Sequence, residues 1–514
     1  MAVQILHLPT AYLWAMLFSA ALVALRLRKR PRYPPGPPGL PVVGNFFDVP
    51  KHYAWVRFWE LGQQLGSDVV HLQVLGTHIV VLNSAKAVRD LLEKRSNIYS
   101  DRDYSVMIHE LTGNDRNIVF MQYGEQWRAH RKLLHQHFRP QVVSQYHAAQ
   151  TKGVRGLLRS LLDAPEAFTQ HIRFMAGATA LDVVFAMDVK PGDPIIKIAE
   201  DAVTVGTEVV MAGVHLVDML PILKHLPSWL PGGAFKRKAA EWKVMVDGLF
   251  DIPYGRYKDS MLQSDLKPCL SANLLASVEN GNYTPEIEEM FKSVTGTTYA
   301  GGSDTTVSTL SVFLFAMTFF PEAQLTAQAQ LDHVLCQKRL PEIEDRDSLP
   351  EITALVHEVL RWHAVLPLAA PHRITTDDEY NGYVIPAGSV IFGNTWAILH
   401  DESVYPDPDV FKPARFLDED GSLRADVPYP TEAFGYGRRI CPGRYFAHDI
   451  LWLAIAHILS VFTVARELDE QGKETVPERG FTPMLLSMPK PFKCRFVSRF
   501  PGAESLICGT SVLE

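Results

Sequence analysis

Cysteine is scarce in this sequence, and the few cysteines stand far apart. The 514 residues include 5 cysteines, and none of them forms a Cys-x-x-Cys pair. This pattern excludes a disulfide framework, a zinc ribbon and an iron–sulfur site, because each of these needs paired or closely spaced cysteines. The chain therefore fits a reducing compartment.

A surplus of positive charge is also missing. Lys and Arg total 50 against 57 Asp and Glu, which gives a formal net charge of -7. Proteins whose main task is to bind nucleic acid carry a basic surface, so this balance argues against that class of partner. Hydrophobic residues make up an ordinary 47% and no internal repeat is present, which excludes disorder, collagen and coiled coil as the main architecture.

Long apolar runs are limited to one, over residues 5–25, which contain no Asp, Glu, Lys or Arg. A helix over this run would be about 31 Å long and would match a hydrocarbon core of about 30 Å. The basic residues that follow it are Arg26, Arg28, Lys29, Arg30 and Arg32. This order predicts a single-pass anchor over residues 1–25 with the rest of the chain in the cytosol. The alternative is a cleaved signal peptide, in which the charges would come first.

Proline and glycine dominate the stretch that follows the basic cluster. Pro34–Gly39 reads Pro-Pro-Gly-Pro-Pro-Gly, and Pro41 follows two residues later. So many fixed φ angles and missing N–H donors oppose both helix and sheet. We therefore expect residues 26–45 to form a basic, proline-rich hinge, a stiff spacer before a body of residues 46–514.

The hydrophobic patterns of the body predict helices over residues 84–95, 286–320, 322–338, 350–363 and 448–463. Ser84 is a plausible N-cap of the first helix, and Pro321 ends the second. Strands are predicted over residues 69–75 and 78–82 around a Gly76-Thr77 turn, and over residues 383–391 after an Asn381-Gly382 turn. Together these patterns predict a mainly α protein with a minor β region.

The most informative stretch is Phe-Gly-Tyr-Gly-Arg-Arg-Ile-Cys-Pro-Gly, which begins at Phe434. It fits the pattern Phe-x-x-Gly-x-Arg-x-Cys-x-Gly with Gly437, Arg439, Cys441 and Gly443 at the later fixed positions. Glycines let the backbone approach a flat ligand closely, and a thiolate needs donors and positive charge to remain ionised. Arg439 can neutralise a carboxylate, and a helix that begins after Gly443 would direct its positive end at the sulfur. The pattern indicates a cofactor-binding cysteine.

This loop resembles the haem-thiolate loop of the cytochrome P450 family, and the resemblance extends over nearly the whole chain, from the anchor and hinge to beyond Cys441. It implies the fold of that family, in its microsomal form, with haem b as the cofactor and Cys441 as the axial ligand of the iron. Thiolate ligation pushes electron density onto the iron and favours O–O cleavage. The overall style of the sequence resembles fungal members. The other four cysteines lack a partner motif, and we interpret them as structural.

A second motif, Gly-Gly-Ser-Asp-Thr-Thr, begins at Gly301 in the middle of the predicted helix over residues 286–320. Two glycines there cost about 1 kcal/mol each relative to alanine, so we expect them to make room for a ligand or to open the helix locally. The motif resembles the oxygen-activating segment of the family, which implies that Asp304 and Thr305 deliver protons. The alternative is helix packing, with the Thr305 hydroxyl bonded to a backbone carbonyl.

Trp127 and Arg131 are four residues apart and share one helix face. They resemble the Trp-x-x-x-Arg helix of the family, which implies that both bind a haem carboxylate. Arg373, in the pair His372-Arg373, and Arg439 resemble further carboxylate-binding positions, and Phe434 belongs to the haem-binding loop. For each cation the alternative is a solvated surface group.

Glu358 and Arg361 also share one face of a predicted helix. With Arg415 they resemble a buried network that holds the cysteine loop in the family, so their implied role is structural. Ala414 stands where the family often has glutamate, which leaves this network intact.

The resemblance implies a monooxygenase that inserts one oxygen atom of O2 into a lipophilic small molecule, by hydroxylation or epoxidation, in fungal secondary metabolism or xenobiotic oxidation. Its electrons would come from NADPH through a separate NADPH–cytochrome P450 reductase, at the endoplasmic reticulum membrane. The segments that match the substrate pocket of the family are mostly apolar; they are residues 104–120, 294–298, 365–368 and 484–486. Candidates for a reductase-docking face are Arg128, Lys132, Arg139 and Arg444. Residues 217–229 either dip into the bilayer or form a plain interhelical loop.

Two other functions remain open. A haem-thiolate isomerase or dehydratase would need no reductase, and a haem sensor or carrier would need no substrate. Asp304 and Thr305 argue against the first, since a proton relay serves oxygen activation. The apolar pocket segments favour a substrate cavity over the second.

Overall fold

The computed structural model describes residues 32–210, 215–261, 267–278 and 282–509. The anchor predicted over residues 1–25 lies outside these ranges, as does the hinge up to residue 31. Within them no single helix is long and apolar enough to cross a membrane. The helices Pro285–Phe319 and Pro321–Leu335 reach the required length and composition only as a pair, which is bent by 104°.

Helices dominate the described ranges, which confirms the predicted mainly α fold with a minor β region. The helices are α1 Ala54–Leu65, α2 Ala85–Val88, α3 Ser96–Tyr99, α4 Glu125–Phe138, α5 His147–Asp163, α6 Phe168–Phe185, α7 Ile195–Val210, α8 Leu216–Met219, α9 Ala234–Met261, α10 Leu270–Ala276, α11 Pro285–Phe319, α12 Pro321–Leu335, α13 Pro350–Trp362, α14 Thr395–Leu399, α15 Arg444–Val461 and α16 Ala503–Gly509. The strands are β1 Val69–Val74, β2 Thr77–Leu82, β3 His372–Arg373, β4 Asp378–Tyr380, β5 Tyr383–Ile385, β6 Val390–Gly393, β7 Phe462–Leu468, β8 Glu474–Thr475 and β9 Cys494–Ser498.

The largest sheet has the strand order β1-β2-β6-β3. β1 and β2 form an antiparallel hairpin in which Val74 lies opposite Thr77, and β2 runs parallel to β6. The turn of this hairpin consists of Leu75 and Gly76, at φ 47° and 92°. The predicted Gly76-Thr77 turn was therefore wrong by one residue: Leu75 and Gly76 both have the positive φ of a type I′ turn, and Thr77 already belongs to the strand.

The single strand predicted over residues 383–391 is two strands in two sheets. β5 pairs with β4 around the predicted Asn381-Gly382 turn, whose residues have φ 52° and 76°. β6 joins the large sheet instead, next to β2. Pro386 follows β5 directly and has no N–H for a ladder bond, so the strand ends there.

The long helix α11 lies within one residue of its predicted ends. The Thr284 hydroxyl accepts a hydrogen bond from the Ile287 N–H at its start, and Pro321 follows its end. The helix predicted over residues 84–95 is capped by Ser84, as expected, but becomes a π-helix at Arg89–Lys94. α12 ends at Leu335, three residues early, and Cys336 follows it at φ 52°. α15 begins at Arg444, ahead of the predicted residue 448, and ends at Val461.

α11 runs through the core, packed against α6, α7, α9 and α15. Its second half is buried on almost every side, from Thr306 to Thr318. Near its middle the pattern changes, since Gly301 is exposed and Thr305 is half-buried. A helix that is enclosed at both flanks yet open at one turn borders an internal space.

The proline-rich segment packs along the β-sheet, so it is not a spacer that stands away from the body. The Arg32 carbonyl accepts a hydrogen bond from the Val384 N–H at 2.8 Å, and the Pro35 carbonyl accepts one from the His71 N–H at 2.9 Å. The Tyr33 ring stacks on His71 with 5.0 Å between centroids. A Cβ on Gly36 would lie 1.9 Å from the His71 carbonyl oxygen, so this close approach needs glycine.

Candidate active site at the cysteine loop

The loop around Cys441 is folded tightly on itself. The Cys441 N–H donates to the Phe434 carbonyl at 2.8 Å. Gly437 has φ 53°, and a Cβ there would lie 2.0 Å from the Leu92 carbonyl oxygen. The glycine of the motif is therefore required both for its backbone conformation and for close packing.

The environment of the Cys441 sulfur contains the features that the sequence predicts. Burial raises the pKa of the Cys441 thiol, whereas the Gly443 N–H and the charges of Arg131 and Arg444 lower it. α15 begins at Arg444 with Gly443 as its N-cap, so its positive end faces the loop. Cys441 as a whole is half-buried. Such a sulfur can bind a metal ion, which would deprotonate it.

Arginines line the same region without carboxylate partners. Arg131 donates to the Ile440 carbonyl at 2.5 Å, and Arg439 donates to the Ser100 and Met121 carbonyls at 2.8 Å each. The Arg439 guanidinium lies 4.4 Å from the Trp127 ring centre. Burial, together with the charge of Arg102, lowers the pKa of Arg439 to about 8. Two cations held by neutral carbonyls leave a site that favours an anionic ligand.

Arg102 belongs to this cluster, although sequence reasoning missed it. It is 7% exposed and donates to the Val119 and Ala370 carbonyls at 2.9 Å each. Burial lowers the pKa of Arg102 to about 10. In the sequence it stands between Asp101 and Asp103, which suggests a solvated ion pair. Only the fold shows that the side chain turns inward.

His372 lies closer to the cluster than Arg373 does. The charges of Arg102 and Arg439 help to lower the pKa of His372, whose Nδ1 is 2.7 Å from the Tyr99 carbonyl. Arg373 points elsewhere, with its Nε 3.7 Å from Asp103. The structure thus brings together Trp127, Arg131 and Arg439 of the predicted set, and leaves Arg373 beside an acid.

The motif on α11 serves both packing and opening. The Thr305 hydroxyl donates to the Gly301 carbonyl at 2.6 Å. A Cβ on Gly302 would lie 3.5 Å from Ala180 on α6, whereas one on Gly301 would meet nothing within 4 Å. The packing alternative therefore describes Gly302 and the Thr305 hydroxyl, which is bonded to a backbone carbonyl as that alternative expects, and the open space belongs to Gly301.

Asp304 is held by an arginine from a neighbouring helix. Its Oδ1 accepts from the Arg173 Nη1 at 2.6 Å, and the same Nη1 lies 3.6 Å from Glu200 on α7. Burial raises the pKa of Asp304, and Arg173 lowers it. Burial therefore favours the neutral form of this carboxyl group, and the ion pair with Arg173 favours its charged form.

Glu358, Arg361 and Arg415 form the buried network that the family resemblance implies. Glu358 and Arg361 side chains are both 0% exposed, with an Arg361 Nε to Glu358 Oε2 distance of 2.7 Å. Arg415 Nε lies 3.1 Å from the same oxygen. The Lys412 N–H donates to Glu358 Oε1 at 2.8 Å, so every partner of this carboxylate is a donor.

Fold and site together define a class: a large helical protein that presents one cysteine from a glycine-rich loop to an internal space lined by arginines. Comparison with known sequences agrees, since the family model "Cytochrome P450" matches residues 34–496. The chain belongs to the cytochrome P450 family, and its relatives identify it as an oxidoreductase of the monooxygenase type.

Three fungal relatives show how far the similarity extends. Cytochrome P450 monooxygenase 98 of Postia placenta is 40% identical over 95% of this chain and 94% of its own length. Cytochrome P450 monooxygenase ple1 of Rhodocybe pseudopiperita is 39% identical over 97% of this chain and 96% of its own length. Tryptamine 4-monooxygenase of Psilocybe cyanescens is 40% identical over 92% of this chain and 94% of its own length. The predicted family and its fungal character are confirmed.

Family membership implies haem iron, and the residues present fit that group. Arg102 is buried and Arg131 and Arg439 are half-buried, and the hydrogen bonds of all three cations go to carbonyl oxygens, which suits the two carboxylates of a haem. The half-buried Cys441 would supply a thiolate ligand to the iron. No group of three or more His, Cys, Asp or Glu that could hold a metal occurs among the described residues.

Proposed function

We propose that this protein is a haem-thiolate monooxygenase that inserts one oxygen atom of O2 into a lipophilic small molecule, by hydroxylation or epoxidation. Its electrons come from NADPH through a separate NADPH–cytochrome P450 reductase. The observation that carries the proposal is Cys441, half-buried within the body, with the Gly443 N–H, Arg131 and Arg444 acting on its sulfur.

When bound, the haem supplies the oxygen-activating chemistry. Cys441 would hold the iron, and Phe434 packs in the same loop. Arg131 and Arg439 would bind the haem carboxylates, with Trp127 packed 4.4 Å from the Arg439 guanidinium. The structure adds Arg102 to this set and brings His372 next to it, whereas the Arg373 Nε lies 3.7 Å from Asp103 and makes no hydrogen bond among the described residues. Salt bridges to the carboxylates would offset the free-energy cost of holding Arg102, Arg131 and Arg439 away from water.

Asp304 and Thr305 are the proposed proton-handling groups. The Thr305 hydroxyl donates to the Gly301 carbonyl, so its lone pairs remain able to accept a proton donor from the open side of α11. Asp304 exchanges protons with water when its bond to Arg173 loosens. Both residues lie at the one turn where the helix borders open space.

Polar contacts join two segments near the predicted pocket. Lys224 donates to both Glu110 oxygens at 2.9 Å, and the Ser105 hydroxyl donates to Asp218 at 2.8 Å. These contacts join the segment over residues 104–111 to the segment over residues 216–225. Because the predicted pocket segments are mostly apolar, we propose a neutral, lipophilic substrate.

Exposed apolar side chains support a membrane-associated protein, which we place at the endoplasmic reticulum with the catalytic body in the cytosol. In the segment over residues 217–229, Ile222 is 72% exposed and Trp229 77%. Near the hinge, Val42 is 93% exposed and Phe47 76%. Large apolar side chains so exposed in two segments are typical of interfaces with lipid or protein.

The reductase contacts that we propose lie on the outer face of α4. Arg128 and Lys132 are exposed there, whereas Trp127 and Arg131 of the same helix point inward. Arg139, just after the helix, is also exposed. An acidic reductase surface would be steered toward these charges, and turnover would then fall as ionic strength rises.

The test is the carbon monoxide difference spectrum of the reduced protein, followed by turnover with NADPH and reductase. We expect a strongly red-shifted Soret band, which Cys441→Ala abolishes together with activity. Cys336→Ser, which changes an exposed cysteine, serves as the matched control and retains both. A Cys441→Ala protein that keeps the red-shifted band would refute the ligand assignment. Product formation without NADPH would instead support an isomerase or dehydratase.

A further inference from the structure

A second cavity, which we name the aromatic cavity, lies where the C-terminal end of α13 meets α1 and α14. Its volume is about 480 Å³. Its walls are mainly aromatic and imidazole rings; the rings used below are Trp55, Trp362, His363, Trp396, His400 and Phe481. None of these residues belongs to the cysteine loop, to α11 or to the arginine cluster, so the aromatic cavity is separate from the candidate active site.

Polar groups inside the aromatic cavity are uncharged. His363 Nε2 lies 2.8 Å from the Ser487 hydroxyl, and His400 Nδ1 lies 2.9 Å from the Trp396 carbonyl. Burial lowers the pKa of both histidines to about 3, which keeps them neutral. At the rim, Arg479 donates to the Asp409 backbone carbonyl at 2.9 Å, and these two residues add one positive and one negative charge to the lining. The lining as a whole carries no net charge.

Two hydrogen-bond donors of the lining lack a protein partner. The Trp362 N–H donates to the Asp409 carbonyl at 3.0 Å and is satisfied. The Trp55 and Trp396 N–H groups have no acceptor among the described residues, yet neither nitrogen is fully enclosed by protein. Both nitrogens are therefore accessible from open space, although Trp55 is only 5% exposed. Buried indoles normally find an acceptor, so a ligand oxygen would complete this site.

We propose that the aromatic cavity binds an uncharged, flat aromatic molecule that carries oxygen acceptors, of the coumarin or aryl ketone class. The stacked rings supply the walls, with His363 and Phe481 at 3.6 Å and Trp396 and His400 at 4.4 Å between centroids. The two indole N–H groups supply donors for the acceptors. A volume of about 480 Å³ lies within the range of sites for small molecules.

The aromatic cavity also contacts a loop that leads toward the proposed substrate pocket. Phe481 pairs with Pro489 and so closes a loop that contains the predicted pocket residues 484–486. The Ser487 N–H donates to the Val365 carbonyl at 2.8 Å, and its carbonyl accepts from the Ser308 hydroxyl at 2.9 Å. A ligand against Phe481 and His363 therefore touches the base of the loop whose tip faces the substrate, which is the position of an effector site.

The test is equilibrium dialysis of labelled coumarin against the full-length holoenzyme, with imidazole added to saturation so that the iron is ligated. We expect saturable binding at one site. Val56→Phe fills part of the aromatic cavity without removing a contact, and should weaken binding at least tenfold. Trp396→Ala removes a wall and a donor and should do the same. Trp229→Ala, an exposed tryptophan outside the aromatic cavity, is the matched control and should leave the affinity unchanged.

Three results would overturn the proposal. Coumarin binding that disappears when imidazole ligates the iron would place the molecule in the haem pocket. Equal affinity in the wild type and in Val56→Phe would place it elsewhere, and Val56→Phe decides this even if Trp396→Ala fails to fold. Naphthalene binding as tightly as coumarin, or coumarin-3-carboxylate binding more tightly, would contradict the proposed acceptor-bearing, uncharged ligand.

Discussion

Buried arginines are the clearest feature of this protein at the scale of single residues. Arg102 and Arg439 make their hydrogen bonds to carbonyl oxygens, and burial lowers the pKa of each. A cation kept in such a place without an acid partner is costly unless a ligand carries the missing charge. Cys441 lies next to this cluster, so a thiol and a set of cations point independently to the same candidate cofactor site.

Arg102 should contribute to haem retention. Arg102→Met keeps most of the side-chain volume but removes the charge, so we expect haem affinity to fall by about 10- to 100-fold, the equivalent of a charged hydrogen bond of about 1.5–3 kcal/mol. Transfer of haem to an excess of apomyoglobin measures the change. Arg95→Met, which removes partly exposed contacts of Arg95 with Asp378 and with the Glu379 carbonyl, away from the cluster, is the matched control. Equal rates in the two variants would remove Arg102 from the site.

Thr305 should affect the coupling of NADPH consumption to product formation more than it affects the binding of haem. Thr305→Ala removes the hydroxyl that bonds to the Gly301 carbonyl, while the helix keeps its backbone bonds. We expect normal haem content but less product per NADPH consumed, by up to about 10²-fold, as for loss of a general acid–base group. Ser311→Ala removes a comparable hydroxyl bond further along α11 and should couple normally. Tight coupling in Thr305→Ala would contradict the relay.

At the scale of elements, the network around Glu358 joins α13 to the segment that contains Arg415. Glu358→Ala leaves Arg361 and Arg415 buried without their acid, so we expect the free energy of unfolding to fall by about 3–5 kcal/mol. Urea titration of the holoprotein measures this loss. Glu478→Ala breaks the exposed pair with Lys490 and should cost below about 1 kcal/mol. A loss that small for Glu358→Ala would refute a structural role.

Elements with local start and stop signals could be predicted, and those with remote partners could not. Thr284-Pro285 and Pro321 mark both ends of α11, and these signals act within one turn of the helix. The alternation over residues 383–391 fits one strand as well as two, because the choice depends on whether β2 or β4 lies alongside. The same limit applies to Arg102, whose acceptors at residues 119 and 370 are far away in the sequence.

The candidate site could be predicted where all residues of a motif lie close together in one loop. Cys441, Gly437 and Gly443 lie within one loop, so their spacing alone fixes the turn and the helix start. Arg173 gave no such signal, since its ion pair with Asp304 joins two helices that only the packing of α6 on α11 brings together.

At the scale of the whole molecule, six histidines make the fold sensitive to acid. Burial lowers the pKa of each to about 3 or 4, and they are His71, His357, His363, His400, His448 and His457. In the unfolded chain histidine binds a proton below about pH 6.5. The unfolded state therefore binds more protons between pH 6.5 and these values, and stability falls as the pH drops through that window.

We expect the free energy of unfolding to fall by up to about 1.4 kcal/mol per pH unit for each of these histidines. Urea titrations between pH 7.5 and 4.5 measure the slope. His457→Met should reduce it and raise stability at low pH, because the His457 Nε2 is buried without a partner. A slope that is the same in the wild type and the variant would contradict this explanation.

The packed proline segment has a mechanical consequence for the molecule. Backbone hydrogen bonds at Arg32 and Pro35 and the stacked Tyr33 ring hold this segment against the sheets, so the chain enters the body in a fixed direction. A segment held in this way limits how far the body can rotate relative to whatever precedes it. With an anchor before Arg32, the body would keep a constant orientation to the lipid surface, and its substrate entrance would face that surface from one side.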